Sequence, residues 1–147
     1  MTDGAKQAAA KQTTAIGQSD HRSNTALILF AHGARDPEWA APIRRIRATL
    51  VQRDAGLRVE LAFFEFMSPT LADCVDGLIA EGSRRIVVLP LFIASGGHLK
   101  RDIPALLEHL RQRHPETEFE LAAPVGEAET VIQAMAEHAC ALLDRSG

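Results

Sequence analysis

Cysteine is scarce in this chain: only Cys74 and Cys140 occur, far apart and in no CxxC pair. That excludes a disulfide framework and a structural zinc site, and it fits a reducing, cytoplasmic setting. Positive charge is in deficit too. With 16 Lys and Arg against 19 Asp and Glu the net charge is −3, so no basic field points to nucleic acid or an anionic membrane as a partner. No apolar run reaches the ~18–20 residues that a membrane-spanning helix requires. Residues 1–24, rich in Ala, Lys, Gln, Thr and Ser, lack the apolar core of a signal peptide. They read as a disordered N-terminal tail, too polar to offset chain entropy by burial. No second domain and no convincing repeat is visible. Residues 25–147 are therefore expected to form one domain, in a chain where 46% of residues are hydrophobic and 24% charged.

What is present from residue 25 onward is a regular alternation. "TALILFA" (25–31), "LRVELAFFE" (57–65), "RRIVVLPLF" (84–92) and "EFELAAP" (118–124) are short apolar runs, the form taken by strands of a parallel sheet covered on both faces. Between them apolar residues recur at helical spacing. Asp36 and Pro37 announce a first helix whose stripe is Trp39, Ile43, Ile46 and Leu50. Ser68 and Pro69 repeat that start before Leu71, Val75, Leu78 and Ile79, and Gly82 ends this second helix. Asp102 is read as the start of a third, carried by Ile103, Leu106, Leu107 and Leu110 and closed at His114-Pro115. Val131, Met135 and Leu142 mark the last, with His138 near the same face.

Four strands alternating with four helices imply an α/β three-layer sandwich. Right-handed crossovers leave few topologies, and a flavodoxin-like parallel sheet of order 2-1-3-4 is the most economical. Ligands bind such sheets beyond the carboxyl ends of the strands, where the strand order reverses, here between the first and third strands. His32 follows the first strand, His98 lies beyond the third, and Glu65 ends the second. Each alone has a plain reading, a loop histidine or a solvated strand-end carboxylate. Together they are expected to converge on one rim. Two imidazoles and a carboxylate suit Co²⁺, Ni²⁺, Fe²⁺ or Zn²⁺, in an open set without thiolates, and the same histidines can move protons. Gly96-Gly97 before His98 suggest a backbone that something must approach closely. His109 and His114 are expected to be solvated, and His138 to be an ordinary helix residue.

"LILFAHGARDPEW", "AFFEFMSPTLADCVDGLIAEG" and "IVVLPLFIASGGHLKRDIPALL" together resemble the small class II tetrapyrrole chelatases, and most closely the short CbiX-type sirohydrochlorin chelatases. The resemblance runs through roughly residues 25–124. It implies a flavodoxin-like chelatase fold and insertion of a divalent metal into sirohydrochlorin, on the routes to cobalamin, siroheme or a nickel tetrapyrrole. It places the family's active-site histidines on His32 and His98 and its strand-end glutamate on Glu65. It implies a homodimer whose two subunits bound the macrocycle cleft. No cofactor is expected to stay bound; the metal is a substrate. Ala34 departs from the serine common after "HG", and nothing carries over to residues 125–135.

Sirohydrochlorin bears many carboxylates while the protein is itself acidic, so local cations must hold it. Arg35, Lys100 and Arg101 flank the histidines and are the expected contacts, although each also reads as a solvated loop charge. Gly96, Gly97, Phe66, Met67 and Leu99 are expected to meet the flat macrocycle, with Met67 equally suited to the core. Two rival readings stand beside the chelatase. One is a non-enzymatic metal or tetrapyrrole carrier using the same residues. The other is a histidine phosphatase, which would need an arginine where Ala31 precedes His32.

Overall fold

A computed structural model describes residues 23–94 and 96–145. All of the expected N-terminal tail except residues 23 and 24 lies outside the described residues. The four apolar runs form β1 (Thr25–Ala31), β2 (Arg58–Phe63), β3 (Arg85–Pro90) and β4 (Glu118–Leu121). They make one parallel sheet of order β2-β1-β3-β4, as the crossover rules predict. Between and after them lie α1 (Ala41–Arg53), α2 (Leu71–Ala80), α3 (Gly97–Arg113) and α4 (Glu129–Asp144).

Side chains alternate across a strand, so each strand feeds two layers. On one face Ala26, Ile28, Phe30, Ile86, Val88 and Phe119 pack against Leu71, Val75 and Leu78 of α2 and Ile103, Leu107 and Leu110 of α3. This is the main core. The other face is covered over β1 and β2 by α1, around Ala31, Ala40 and Phe63. That layer is thinner than the sequence suggests. Of the α1 stripe, Ile46 is 43% exposed and Trp39, in the preceding turn, is 40% exposed.

Several boundaries fall elsewhere than expected. Asp36 does cap, accepting a hydrogen bond from the Glu38 amide (3.0 Å), but what it starts is a 3₁₀ turn, Pro37–Ala40, that leads into α1. Ser68 and Pro69 do not begin α2. Their peptide is cis, and Thr70 caps instead, its hydroxyl accepting from the Asp73 amide. Gly82 closes α2 with φ +105°, as its position foretells. β2 ends at Phe63, so Glu65 stands two residues past the strand. The largest difference is α3, which begins at Gly97 rather than Asp102 and carries Pro104 inside it.

His114 is not a free solvent histidine. It hydrogen-bonds Asp76 (2.8 Å), which also pairs with Arg113 (3.0 Å) and so ties the end of α3 to α2. Partial burial works to raise the Asp76 carboxyl, but the His114 and Arg113 contacts outweigh it and hold the group below its ordinary 3.8. A depressed acid stabilises the fold above its unfolded value and loses that contribution as pH falls through the folded one. The urea midpoints of wild type and Asp76→Asn should therefore differ at neutral pH and converge below about pH 4. Burial, aided by Glu60 and opposed by Arg58, pushes the Cys74 thiol up to about 12, while Cys140 is exposed on α4. A thiol reagent at pH 8 should therefore modify Cys140 alone in the native protein and both cysteines after unfolding.

Candidate active site

The rim beyond the carboxyl ends of the strands begins with a backbone lock. The β1–β2 pairing continues past both strands: the Phe64 amide donates to the Ala31 carbonyl and the Glu65 amide to the His32 carbonyl, each at 2.9 Å. Gly33 then turns with φ +94° and lies so close to the next strand that a β-carbon there would sit 1.8 Å from the Glu65 carbonyl oxygen. Only glycine fits. The Glu65 carbonyl also accepts from the Met67 amide (2.8 Å), which makes Phe66, at φ +63°, the centre of a γ-turn. That is a strained conformation for a bulky residue, of the kind that persists where surrounding contacts over-determine it.

The lock presents a side-chain pair. His32 Nε2 donates to Glu65 Oε1 at 2.6 Å, with both side chains a little under half exposed. A carboxylate can only accept, so in this arrangement Nε2 carries a hydrogen. The imidazole is steadied by two rings, Phe64 with its centroid at 5.9 Å and Phe92, from just past β3, at 6.4 Å. Were Nε2 to give up its hydrogen and bind one metal together with Oε1, with bonds of about 2.1 Å at a tetrahedral angle, the two atoms would stand about 3.4 Å apart. The pair need therefore open by only about 0.8 Å from its 2.6 Å contact.

Around this pair the expected residues divide into those the rim gathers and those it does not. Arg35 lies over the Phe66 ring, its guanidinium carbon 5.0 Å from the centroid, and the ring is 58% exposed. Met67 is half-buried and packs with Phe63, Ala31 and Ala40, contacts that fit its reading as a core residue. His98 is the second residue of α3, exposed on its first turn. It does not complete a three-ligand set. Among the described residues no three His, Cys, Asp or Glu side chains come together closely enough to hold one metal ion. The threefold convergence expected from the sequence is thus twofold among the described residues of this chain. The physical reason is that His98 sits on a helix and not on a loop, so its place follows the α3 axis.

Gly96 and Gly97 also differ from expectation. Gly96 caps α3 in an extended conformation, and a β-carbon at either glycine would meet nothing within 4 Å. Their own chain does not need them bare; they leave open space beside His98. Lys100 and Arg101 are exposed on the same turn of α3 with no ion pair among the described residues. Lys100 borders a cleft of about 240 Å³ whose walls include Leu99, Ile103, Leu121 and Glu127. Sequence reasoning missed Gly33, Phe64 and Phe92 as parts of this rim. The "HG" dipeptide held a signal for the first. The aromatic pair reads only as strand residues until the register is known.

A parallel sheet of order β2-β1-β3-β4 with a histidine–carboxylate pair beyond its strand ends places this chain among the open α/β proteins that bind ligands at that rim. The CbiX family model matches residues 26–142, so this chain belongs to the CbiX family. It is 38% identical over 106 residues to a protein of Saccharolobus islandicus (strain L.S.2.15 / Lassen #1) named sirohydrochlorin cobaltochelatase, covering 68% of this chain and 81% of that one. A protein of the same name from Priestia megaterium is 31% identical over 73% of this chain, which spans only 35% of it. Among solved structures, one provisionally described as a cobalamin (vitamin B12) biosynthesis CbiX protein from Marinobacter aquaeolei VT8 superposes with a TM-score of 0.73 at 30% identity, over 82% of this chain and 98% of that one. The sirohydrochlorin chelatase SirB from Bacillus subtilis subspecies spizizenii, solved with cobalt, shares the fold at a TM-score of 0.67 and 23% identity, over 78% of this chain and 49% of that one.

The two kinds of glycine predict opposite outcomes. Gly33→Ala forces a clash with Glu65 at a left-handed φ and should cost about 2 kcal/mol or more of unfolding free energy. Gly96→Ala should stay within about 0.5 kcal/mol of wild type. Urea denaturation measures both.

Proposed function

We propose that this protein inserts a divalent metal, Co²⁺ or Fe²⁺ with Ni²⁺ as a further candidate, into sirohydrochlorin for cobalamin or siroheme-type synthesis. The observation that carries this is the 2.6 Å His32–Glu65 contact held at the sheet's switch point in a CbiX fold. The metal is a substrate and no cofactor stays bound. A homodimer in the cytoplasm fits the open site and the two unpaired cysteines.

Chelation exchanges two pyrrole N–H protons for one M²⁺, so the protein must offer a metal, accept protons and hold the ring. His32 and Glu65 are assigned to the metal, because the backbone lock presents them together and a small opening, with the Nε2 hydrogen passing to water, admits an ion. His98 is assigned to the protons. It stands apart from the pair, exposed beside bare glycine backbone where a flat ring can approach. One pyrrole proton passes to its neutral imidazole and the second to water at the open rim. Phe66 offers its exposed face to the macrocycle. Arg35, Lys100 and Arg101 meet its carboxylates, with Arg35 already stacked on Phe66.

The carrier reading fits less well. A protein that keeps its metal favours a closed set of ligands, and two ligands in one subunit suit an ion that is handed on. The phosphatase reading lacks its arginine, since Ala31 precedes His32 and is 1% exposed.

The test follows sirohydrochlorin absorption with each metal, alongside metal binding in the absence of the ring. His32→Ala should lose both Co²⁺ binding and turnover. His98→Ala should keep Co²⁺ binding and lose turnover by about 100-fold or more. Wild-type rates in both variants would overturn the site. A wild-type protein that fails to exceed the spontaneous rate with any metal would overturn the enzyme.

A further inference from the structure

The pairing of β1 with its two neighbours runs past the strand ends on both sides. On the β2 side the Phe64 and Glu65 amides continue it, and on the β3 side the Leu91 amide donates to the Phe30 carbonyl (2.8 Å). His32 therefore follows the middle one of three strands, with a loop to each side of it. Each loop sets an aromatic ring against the imidazole, Phe64 from one and Phe92 from the other. Each then carries a large apolar side chain in the open. Phe66 stands three residues past Phe63, where β2 ends, and Ile93 three residues past Pro90, where β3 ends. Phe66 is 58% exposed and Ile93 72%.

An apolar side chain in solvent is ordinary in itself. Among the described residues, however, the other large ones all lie on helices or in the 3₁₀ turn Pro37–Ala40, four of them on α4. Phe66 and Ile93 alone stand in segments between elements, and both are at the rim that carries the His32–Glu65 pair.

Their backbones are held in the same manner. Gly33 crowds the Glu65 carbonyl, one residue before Phe66. Gly126 crowds the Ile93 carbonyl, where a β-carbon would lie 2.0 Å from the oxygen, and its amide donates to the Phe92 carbonyl (3.0 Å). At every other described glycine a β-carbon would meet no backbone atom within 4 Å. Both exposed side chains are thus carried on fixed main chain, so a ligand that covers them has little backbone to order.

Neighbouring strands lie about 4.8 Å apart, which puts the loops on either side of β1 about 10 Å apart. A flat ring system laid over the rim reaches both; a hydrated metal ion or a small anion does not. The charges agree with such a ligand. Arg35 stacks on Phe66, and Lys100 and Arg101 lie on the first turns of α3, a few residues after Ile93. Cations beside an apolar pair suit a flat apolar body with carboxylates at its edge.

We propose that Ile93 is a substrate-binding residue that pairs with Phe66, the two side chains meeting the apolar body of the macrocycle on either side of His32. This rests on the chelatase reading above and adds to it a contact on the β3 side. Ile93 acts on affinity for the ring and not on the metal.

The test follows binding of metal-free sirohydrochlorin by its fluorescence, which needs no turnover. Co²⁺ binding without the ring and mass by light scattering are measured alongside. Ile93→Ser should raise the Kd for the ring by about 10-fold, the effect of withholding most of one aliphatic side chain from contact. Ile93→Val, which removes a single methylene, should raise it by about 2-fold. Co²⁺ binding and mass should match wild type in both. In the chelation assay the same change should appear in KM, with kcat within about 2-fold of wild type. Ile46→Ser, a like change at an exposed position of α1, should leave ring binding unchanged. A wild-type Kd in Ile93→Ser overturns the proposal, and so does an equal loss in Ile46→Ser. A lower mass in Ile93→Ser places the residue in a contact between copies and overturns it too. A wild-type protein that binds no ring overturns both this contact and the reading beneath it. One that binds the ring, loses affinity in Ile93→Ser and inserts no metal keeps the contact and loses the reaction.

Discussion

The contact on which the rim depends is the approach of Gly33 to the Glu65 carbonyl. It extends the β1–β2 register two residues beyond the strands and fixes where His32 and Glu65 leave the backbone. Side chains this exposed gain little from burial, so their geometry must come from the main chain beneath them. The strained Phe66 turn follows from the same requirement, since the Glu65 carbonyl is committed to the Met67 amide while crowded by Gly33. The result is a firm backbone under loosely held side chains. That division suits a site whose metal is a substrate. Rigid ligands would retain the ion, whereas a pair that opens by under about 1 Å can take it and release it.

Much of the fold was legible because it is governed by hydrophobic period and chain handedness. β1 falls on the expected residues, and the strand order follows from crossovers of fixed hand. What was not legible depends on competition between neighbouring signals of similar strength. Ser68-Pro69 and Thr70 both offer a helix start, and only the packed backbone decides for Thr70. Gly96 and Asp102 compete likewise as the start of α3; the helix takes the earlier one and tolerates Pro104 eight residues in, where the early-turn preference of proline no longer helps it. For the site, residue identity pointed to His32 and Glu65, but their contact needed the register. His98 was placed on the right rim and in the wrong local structure.

α4 shows a different limit. An apolar stripe at helical spacing says that a face will be covered, and says nothing about which chain covers it. Folding and assembly use the same chemistry, so Val131, Met135 and Leu142 read identically in either case. The close seat of Gly126 against Ile93, just before that helix, is equally hidden, because one glycine among ten carries no label for such a contact.

Electrostatics closes the argument about substrate. A net charge of −3 opposes a polyanionic macrocycle, but that repulsion is spread over the surface and screened beyond about 8–10 Å. Five of the 19 acids are also paired locally, by Arg58 on Glu60 and Glu81, Arg85 on Glu118 and Glu120, and Arg113 on Asp76. Among the described residues Lys100 and Arg101 at the α3 start are in no such pair. Arg35 is held by an aromatic face and not by a carboxylate, which leaves its donors free for an anion. Three cations without an ion pair among the described residues, Arg35, Lys100 and Arg101, therefore stand on the rim side that carries His32, Glu65 and His98. Local charge there favours a carboxylate-rich ligand even though the whole molecule does not.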